Sequence, residues 1–177
     1  VLNARFCLRC GHRLATARVD GHARRKCPAC GWIYYVNPVP AAVALIERRG
    51  RLLLTRRARP PYAGTWDLPG GFLEADETPE TGLRRELEEE LGVRAQWWRL
   101  VGVTTDRYGR GGFPVLTLIY QVTVRGALRP ADDVSEARWF PRSRLPLEEV
   151  GFPSMRRLFR ALARGRRRGA LRLASGR

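Results

Sequence analysis

The stretch Gly70–Val93, GGFLEADETPETGLRRELEEELGV, decides how this chain is read. Its second half carries the start and stop of a helix. Thr78 has the short hydroxyl side chain of an N-cap, Pro79 fits a first helical position that needs no N–H partner, and Gly92 fits a helix stop. At roughly 100° per residue, Leu83, Leu87 and Leu91 fall in one apolar strip that a globular core would bury. Glu86, Glu89 and Glu90 fall on the arc beside that strip, where three carboxylates repel one another at neutral pH. Glu88 points away, near Arg84, and a solvated ion pair is expected between them. Such an arc needs a compensating cation, and Mg2+ suits it, being hard, oxygen-seeking and able to bridge phosphates. An acidic amphipathic helix with a solvated face is the plain alternative. The glycine pair Gly70–Gly71 and the positions of Glu77 and Arg85 argue against it.

The same stretch fits the pattern G-x5-E-x7-R-E-U-x-E-E-x-G-U, with U apolar, at every fixed position. Those positions are Gly71, Glu77, Arg85, Glu86, Leu87, Glu89, Glu90, Gly92 and Val93. It resembles the Nudix box. The resemblance implies an α/β protein, a Nudix α/β/α sandwich with a mixed sheet, that hydrolyses a pyrophosphate bond with Mg2+ or Mn2+. It also implies roles: Glu86, Glu89 and Glu90 hold the metal, Gly71 packs the cofactor-binding loop against the helix, and Glu77 and Arg85 hold the carboxylates in place. Arg85 lies next to Glu89 on the helical wheel, which fits an orienting role. The chemistry follows from charge: a pyrophosphate repels nucleophiles, and divalent ions would neutralise it and activate a water. In such enzymes the general base is a box glutamate or an acid from a distant loop. Asp132, Asp133 and Glu136 cluster before Trp139, and Asp106 is expected in a glycine-rich loop. Glu136 is the preferred outside base, although each of these acids also reads as a surface or turn residue.

Upstream, Ala41–Ile46 and Arg51–Leu54 are two short apolar runs around Arg49-Gly50, the pattern of a hairpin. Downstream, Val115–Val124 and Ala137–Phe140 read as strands, and Met155, Leu158, Phe159 and Leu162 have helical spacing. The resulting organisation is a ribbon over 1–37, a catalytic domain over 38–163 and a basic tail over 164–177, without internal repeats.

The ribbon contains all four cysteines of the chain, Cys7-Leu-Arg-Cys10 and Cys27-Pro-Ala-Cys30. A two-residue gap lets both thiolates of each pair reach one tetrahedral ion, so the spacing predicts a small zinc-ribbon β module. Two disulfides or a redox pair are the alternatives, and neither suits a chain without a secretion signal or with two pairs. Four cysteines fill the coordination sphere and leave no place for water, so the Zn2+ is expected to be structural. Folding, association into a homodimer and substrate contact are all open to the ribbon.

The formal net charge of +16 falls mostly at the ends. In residues 1–31 the only acid is Asp20, and residues 154–177 contain none. Basic ends favour phosphate-rich partners such as nucleotides or RNA. Lys26 is the only lysine, however, and an arginine bias would decorate any solvated surface in the same way. No apolar run approaches the roughly 18 residues that span a membrane, and no secretion signal is evident, so a cytoplasmic location is expected.

For a nucleotide-like small-molecule substrate, stacking partners are expected from Trp66, Phe72, Tyr108 and Phe113, and phosphate contacts from Arg56, Arg57 and Arg59. The ribbon followed by the box resembles NADH pyrophosphatases. Their S-Q-P-W-P-F-P motif is missing here; Phe152-Pro153-Ser154 is the nearest echo. ADP-ribose or a similar nucleoside diphosphate derivative is therefore favoured, ahead of NADH and nucleoside triphosphates. A nucleic-acid-binding or regulatory protein on the same fold, or an isomerase acting on a prenyl diphosphate, are the other classes kept open.

Overall fold

The computed structural model describes residues 4–165, so the expected basic tail lies almost wholly outside the described residues. Two sheets organise the chain. Strands β1 (Ala15–Val19), β2 (His22–Lys26) and β3 (Ile33–Tyr34) form a three-stranded antiparallel sheet that carries the cysteines. The remaining strands are β4 (Val39–Arg48), β5 (Arg51–Arg57), β6 (Trp66–Asp67), β7 (Gly70–Phe72), β8 (Arg94–Arg107), β9 (Pro114–Arg125) and β10 (Val134–Pro141). They form a mixed sheet in the order β10-β5-β4-β9-β8, with β6 attached to β5 and β7 to β4.

The expected hairpin is present, and its turn has a clear cause. Arg49 and Gly50 both have positive φ, 51° and 71°, which matches the twist that a two-residue connection needs. β4 is apolar almost throughout because both its faces are covered, and it runs parallel to β9 from Val39↔Val115 to Ile46↔Val122. Alternation then sorts its side chains. Ala42, Ala44 and Ile46 join Leu53 in one core, while Val43 and Leu45 join Leu52 and Leu54 in another. Helix α1 (Pro79–Leu91) covers the first core with Leu83, Leu87 and Leu91. Helix α2 (Pro153–Ala163) covers the second with Met155, Leu158, Phe159 and Leu162. The result is an α/β/α sandwich around a mixed sheet.

Three readings are corrected. β8 is the longest strand at 14 residues, and it was not among the expected strands. It lies at the sheet edge, and register shifts at Ala95/Trp97 and Leu100/Gly102 break the two-residue alternation that reveals a strand. Asp106 accordingly sits inside β8, ahead of the glycine-rich loop. Glu88 pairs with Arg94, at 3.6 Å, because the chain turns back past the helix end; Arg84 instead lies over the Trp98 ring.

The feature that positions the site is a split in the sheet. β4 and β5 pair only at Glu47↔Leu52 and Arg48↔Arg51. Beyond that they diverge, and each recruits a short strand, β7 for β4 and β6 for β5. The opening between them leads to the cavity. Among the described residues no helix is long and apolar enough to cross a membrane.

Candidate active site

Helix α1 is held at both ends as its sequence prescribes. Thr78 Oγ1 accepts from Thr81 N at 3.2 Å, and Gly92, at φ 64°, donates its N–H to Glu88 O at 2.9 Å. Tyr120 on β9 donates to Glu80 Oε1 at 2.7 Å, which pins the first turn of the helix to the sheet. That bond holds the Glu80 carboxyl below its ordinary range.

The box acids differ in environment. Glu90 is 5% exposed, and its Oε2 accepts from Gly70 N at 2.8 Å. Burial pushes its pKa well up, and the nearby Asp133 and Glu86 add to the rise. Glu86 is likewise raised, chiefly by burial, although Arg85 opposes this. Glu89 is more exposed and bonds to Arg85. Gly71 makes room for this packing: a Cβ there would lie 2.5 Å from Glu86 Oε1, so a larger residue would push the carboxylate from its place beside β7.

Arg85 ties the group together. Its Nε and Nη2 hold the two oxygens of Glu77 at 2.7 and 3.0 Å, a fork-to-fork pair. Its Nη1 reaches Glu86 Oε1 at 2.8 Å and Glu89 Oε2 at 2.9 Å, and Nη2 also donates to Phe72 O. The Arg85 hydrogen bonds hold Glu77 at a pKa of about 2. One guanidinium therefore links the loop before the helix to two of the three acids.

Of these acids, Glu86 borders a cavity of about 290 Å3 between the split strands. Gly70, Gly71, Glu86 and Asp133 line one part of it, and Phe72, Tyr108, Phe152, Ser154 and Met155 line another. Tyr108 is stacked on Phe113, with ring centroids 5.3 Å apart, and lies nearly parallel to Phe152 at 6.0 Å. Arg57 donates to the Tyr108 hydroxyl at 3.2 Å and lies over the Phe152 ring. Acidic and aromatic surfaces thus share one opening of nucleotide size.

The structure brings Gly71, Glu77, Arg85, Glu86, Glu89 and Glu90 together, but not every expected residue. Glu136 does not line the cavity; its carboxylate is held by Arg138 Nε at 2.9 Å and faces Arg56 at 3.7 Å on the surface of β10. Glu136, the preferred outside base, thus stands apart from the cavity. Asp67, Asp106, Asp132 and Asp133 are the outside acids that do line the cavity. Trp66 is 2% exposed in the core and is unavailable for stacking, whereas Phe152 takes a place that the sequence reading did not give it. Arg56 and Arg59 are paired with acids, leaving Arg57 as the expected arginine at the cavity wall. Asp67 and Phe152 flank motifs already singled out, but one short acid or one aromatic beside a proline carries no periodic signal.

The four cysteines also converge. Their sulfurs all lie within 4.8 Å of one another. Cys7–Cys30, Cys10–Cys27 and Cys10–Cys30 are 3.6, 3.5 and 3.5 Å apart. A tetrahedral ion with Zn–S bonds of about 2.3 Å sets sulfurs roughly 3.8 Å apart, whereas a disulfide needs about 2.05 Å. The four-sulfur set fits zinc. Gly11 N bonds to Cys7 O and Gly31 N to Cys27 O, which closes each knuckle.

A model of the NUDIX domain matches residues 36–162. The ADP-ribose pyrophosphatase of Methanocaldococcus jannaschii is 37% identical over 114 residues, 63% of this chain and 67% of that protein. The NAD-capped RNA hydrolase NudC of Chromobacterium violaceum is 32% identical over 143 residues, 80% of this chain and 52% of that protein. This chain thus spans about half the length of that hydrolase. Among solved structures, a NUDIX hydrolase from Nitrosomonas europaea superposes with a TM-score of 0.68 at 26% identity, covering 89% of this chain and 90% of that one.

Proposed function

Because the chain belongs to the NUDIX family, we propose that it hydrolyses the pyrophosphate bond of a nucleoside diphosphate-linked substrate, ADP-ribose or a close analogue, in the cavity between the split strands. The observation that carries this reading is the carboxylate group that reaches the cavity wall through Glu86 and Asp133. Glu86 and Glu90 are packed at a spot where burial disfavours their charge, beside Asp133, with Arg85 already shared among three acids. An oxygen-only acidic set of this kind fits Mg2+ or Mn2+. Glu86, Glu89 and Glu90 are its proposed ligands. When bound, the ion supplies charge neutralisation at the pyrophosphate and lowers the pKa of a coordinated water.

The chain's own residues do the rest. Arg85 fixes Glu86 and Glu89 from one guanidinium and is itself fixed by Glu77 and Phe72 O. Gly71 admits the box loop close to Glu86, and the Gly70 N–H orients Glu90. Tyr108 and Phe152 offer apolar faces to the base, and Arg57 adds positive charge beside them. Asp133 takes the place of Glu136 as the outside acid near the box, since it couples to both Glu86 and Glu90. The proposed division is a ribbon to residue 37 and a catalytic domain over 38–163.

The test is a panel of ADP-ribose, other nucleoside diphosphate sugars, NADH, nucleoside triphosphates and capped RNA with Mg2+ or Mn2+. Cleavage of ADP-ribose to AMP and ribose phosphate, abolished by chelation, is expected. Release of phosphate-containing products from none of the panel would overturn the reading.

The cysteine cluster is proposed to hold one structural Zn2+. Zinc should copurify at about one equivalent per chain. Cys7→Ser should then speed proteolysis and amide exchange in residues 4–37 while leaving turnover of a small nucleotide within about threefold, because a filled four-sulfur sphere has no site for substrate. Undialysed protein with no zinc would refute the assignment.

A further inference from the structure

Asp67 is an acid at the cavity wall that the proposed metal chemistry does not use. Pairing of β6 with β5 at Thr55↔Asp67 sets its position at the edge of the split. Its Oδ1 accepts from Leu68 N at 2.8 Å, and its Oδ2 accepts no hydrogen bond among the described residues. The polar groups around it are committed elsewhere. Asp106 uses Oδ1 for Arg107 N at 2.9 Å and Oδ2 for Ser154 N at 2.8 Å. Arg57 spends Nε on Pro61 O at 2.9 Å and Nη2 on the Tyr108 hydroxyl.

Asp67 lines the same cavity as Tyr108, Phe152 and Ser154. Arg57, which interacts with Asp67, lies 5.9 Å from the Tyr108 ring centre and 5.5 Å from that of Phe152. Asp106, on the same cavity wall, accepts a hydrogen bond from Ser154 N, two residues beyond Phe152. A base laid against these rings presents its polar edge to the walls, and a free carboxylate oxygen there acts as a hydrogen-bond acceptor.

We propose that Asp67 is the specificity-determining acceptor of this site, taking a hydrogen bond from the exocyclic amino group of the substrate's base. Adenine and cytosine carry that amino group. Hypoxanthine and uracil carry a carbonyl at the same position, whose lone pairs meet those of the carboxylate. The site therefore favours amino-bearing bases. This inference rests on the reading of the cavity as a nucleotide site.

A second property of Asp67 makes the idea testable without mutation. Burial raises its pKa to about 6, with the charges of Asp106 and Asp133 adding to the rise and the Leu68 N–H and Arg57 opposing it. Above that value Oδ2 accepts from an amino group. Below it the protonated acid donates instead, which a carbonyl tolerates, so the preference shrinks.

The experiment is calorimetric binding of AMP and IMP, with CMP and UMP as a second pair, at pH 7.5 and pH 5 in Mg2+. These monophosphates contain no pyrophosphate bond and are not turned over. Each pair shares one phosphate, so titration of the phosphate, Glu86 and Glu90 cancels in the affinity ratio. A charge-assisted hydrogen bond leads us to expect AMP about tenfold tighter than IMP at the higher pH. That ratio should fall severalfold at the lower pH. Asp67→Asn, checked for folding by its Tm, should bring the ratio within about threefold and remove its pH dependence. Equal affinity of wild type for AMP and IMP at pH 7.5, a ratio insensitive to pH, or an undiminished preference in folded Asp67→Asn would each overturn the proposal, as would failure of both nucleotides to bind. If Asp67→Asn does not fold, the wild-type pH series decides alone. Selective AMP binding without hydrolysis of any pyrophosphate would leave the proposal standing and sink the hydrolase reading instead.

Discussion

Glu90→Gln should lower kcat/KM about 1000-fold, a loss of about 4 kcal/mol in transition-state stabilisation, while leaving metal-free protein at least as heat-stable as wild type. The two halves of this expectation have one cause. Glu90 is almost fully buried, and its packing disfavours the charged form unless a cation compensates it. Glutamine keeps the side-chain volume and an oxygen for the Gly70 N–H, so the fold loses little. What it removes is the negative charge that the proposed ion requires. Wild-type Tm should also rise with added Mg2+, by the stabilisation that any ligand of the native state provides, and the variant should show a smaller rise. The checks are steady-state kinetics at saturating Mg2+ and thermal melts with and without chelator. A folded variant within tenfold of the wild-type rate would remove Glu90 from the proposed metal site.

The second large effect is expected at Arg85. Arg85→Met should cost at least about 100-fold in kcat/KM, a drop comparable with loss of groups that orient metal ligands, and should lower Tm by several degrees. Methionine retains much of the stem's packing but none of the bonds to Glu77, Glu86, Glu89 and Phe72 O. Four acceptors lose a donor at once, and acids held by one cation are left to repel one another. Arg85→Lys should recover little, because a point ammonium cannot reproduce the fork that grips both oxygens of Glu77. A pH signature separates this account from general loosening. The folded pKa of Glu77, about 2, lies below the ordinary value of 4.5, so the pair stabilises the protein above about pH 4.5 and that support is lost as pH falls towards 2. The variant should lack this part of the acid dependence. An Arg85→Met protein with wild-type kinetics and an unchanged acid melting curve would show that the clamp is decorative.

Much of this was legible in the chain because it depends on neighbours in sequence. The caps at Thr78 and Gly92, the strip of Leu83, Leu87 and Leu91, and the turn at Arg49-Gly50 are local, and three or four residues carry each signal. Four cysteines in two knuckles, and carboxylates one helical turn apart, announce their chemistry by spacing in the same way. Arg85 was placed beside Glu89 by the helical wheel alone, and the 2.9 Å bond between them agrees.

The rest was decided by strands that meet from far apart. Asp106 and Ser154 are 48 residues apart and touch only because β8 closes beside α2. Glu136 and Asp133 are close in the chain, yet one faces arginines on the outer strand and the other lines the cavity, since residues along a strand and the loop before it point to different sides. Trp66 is drawn into the core and Phe152 is left at the cavity wall, a choice made by packing against α2 and β5 that no single-residue property encodes. Local periodicity therefore determined the helix, the hairpin and the acidic arc. The cavity exists because β4 and β5 part after two residue pairs, and only the tertiary pairing of each with a different short strand forces them apart.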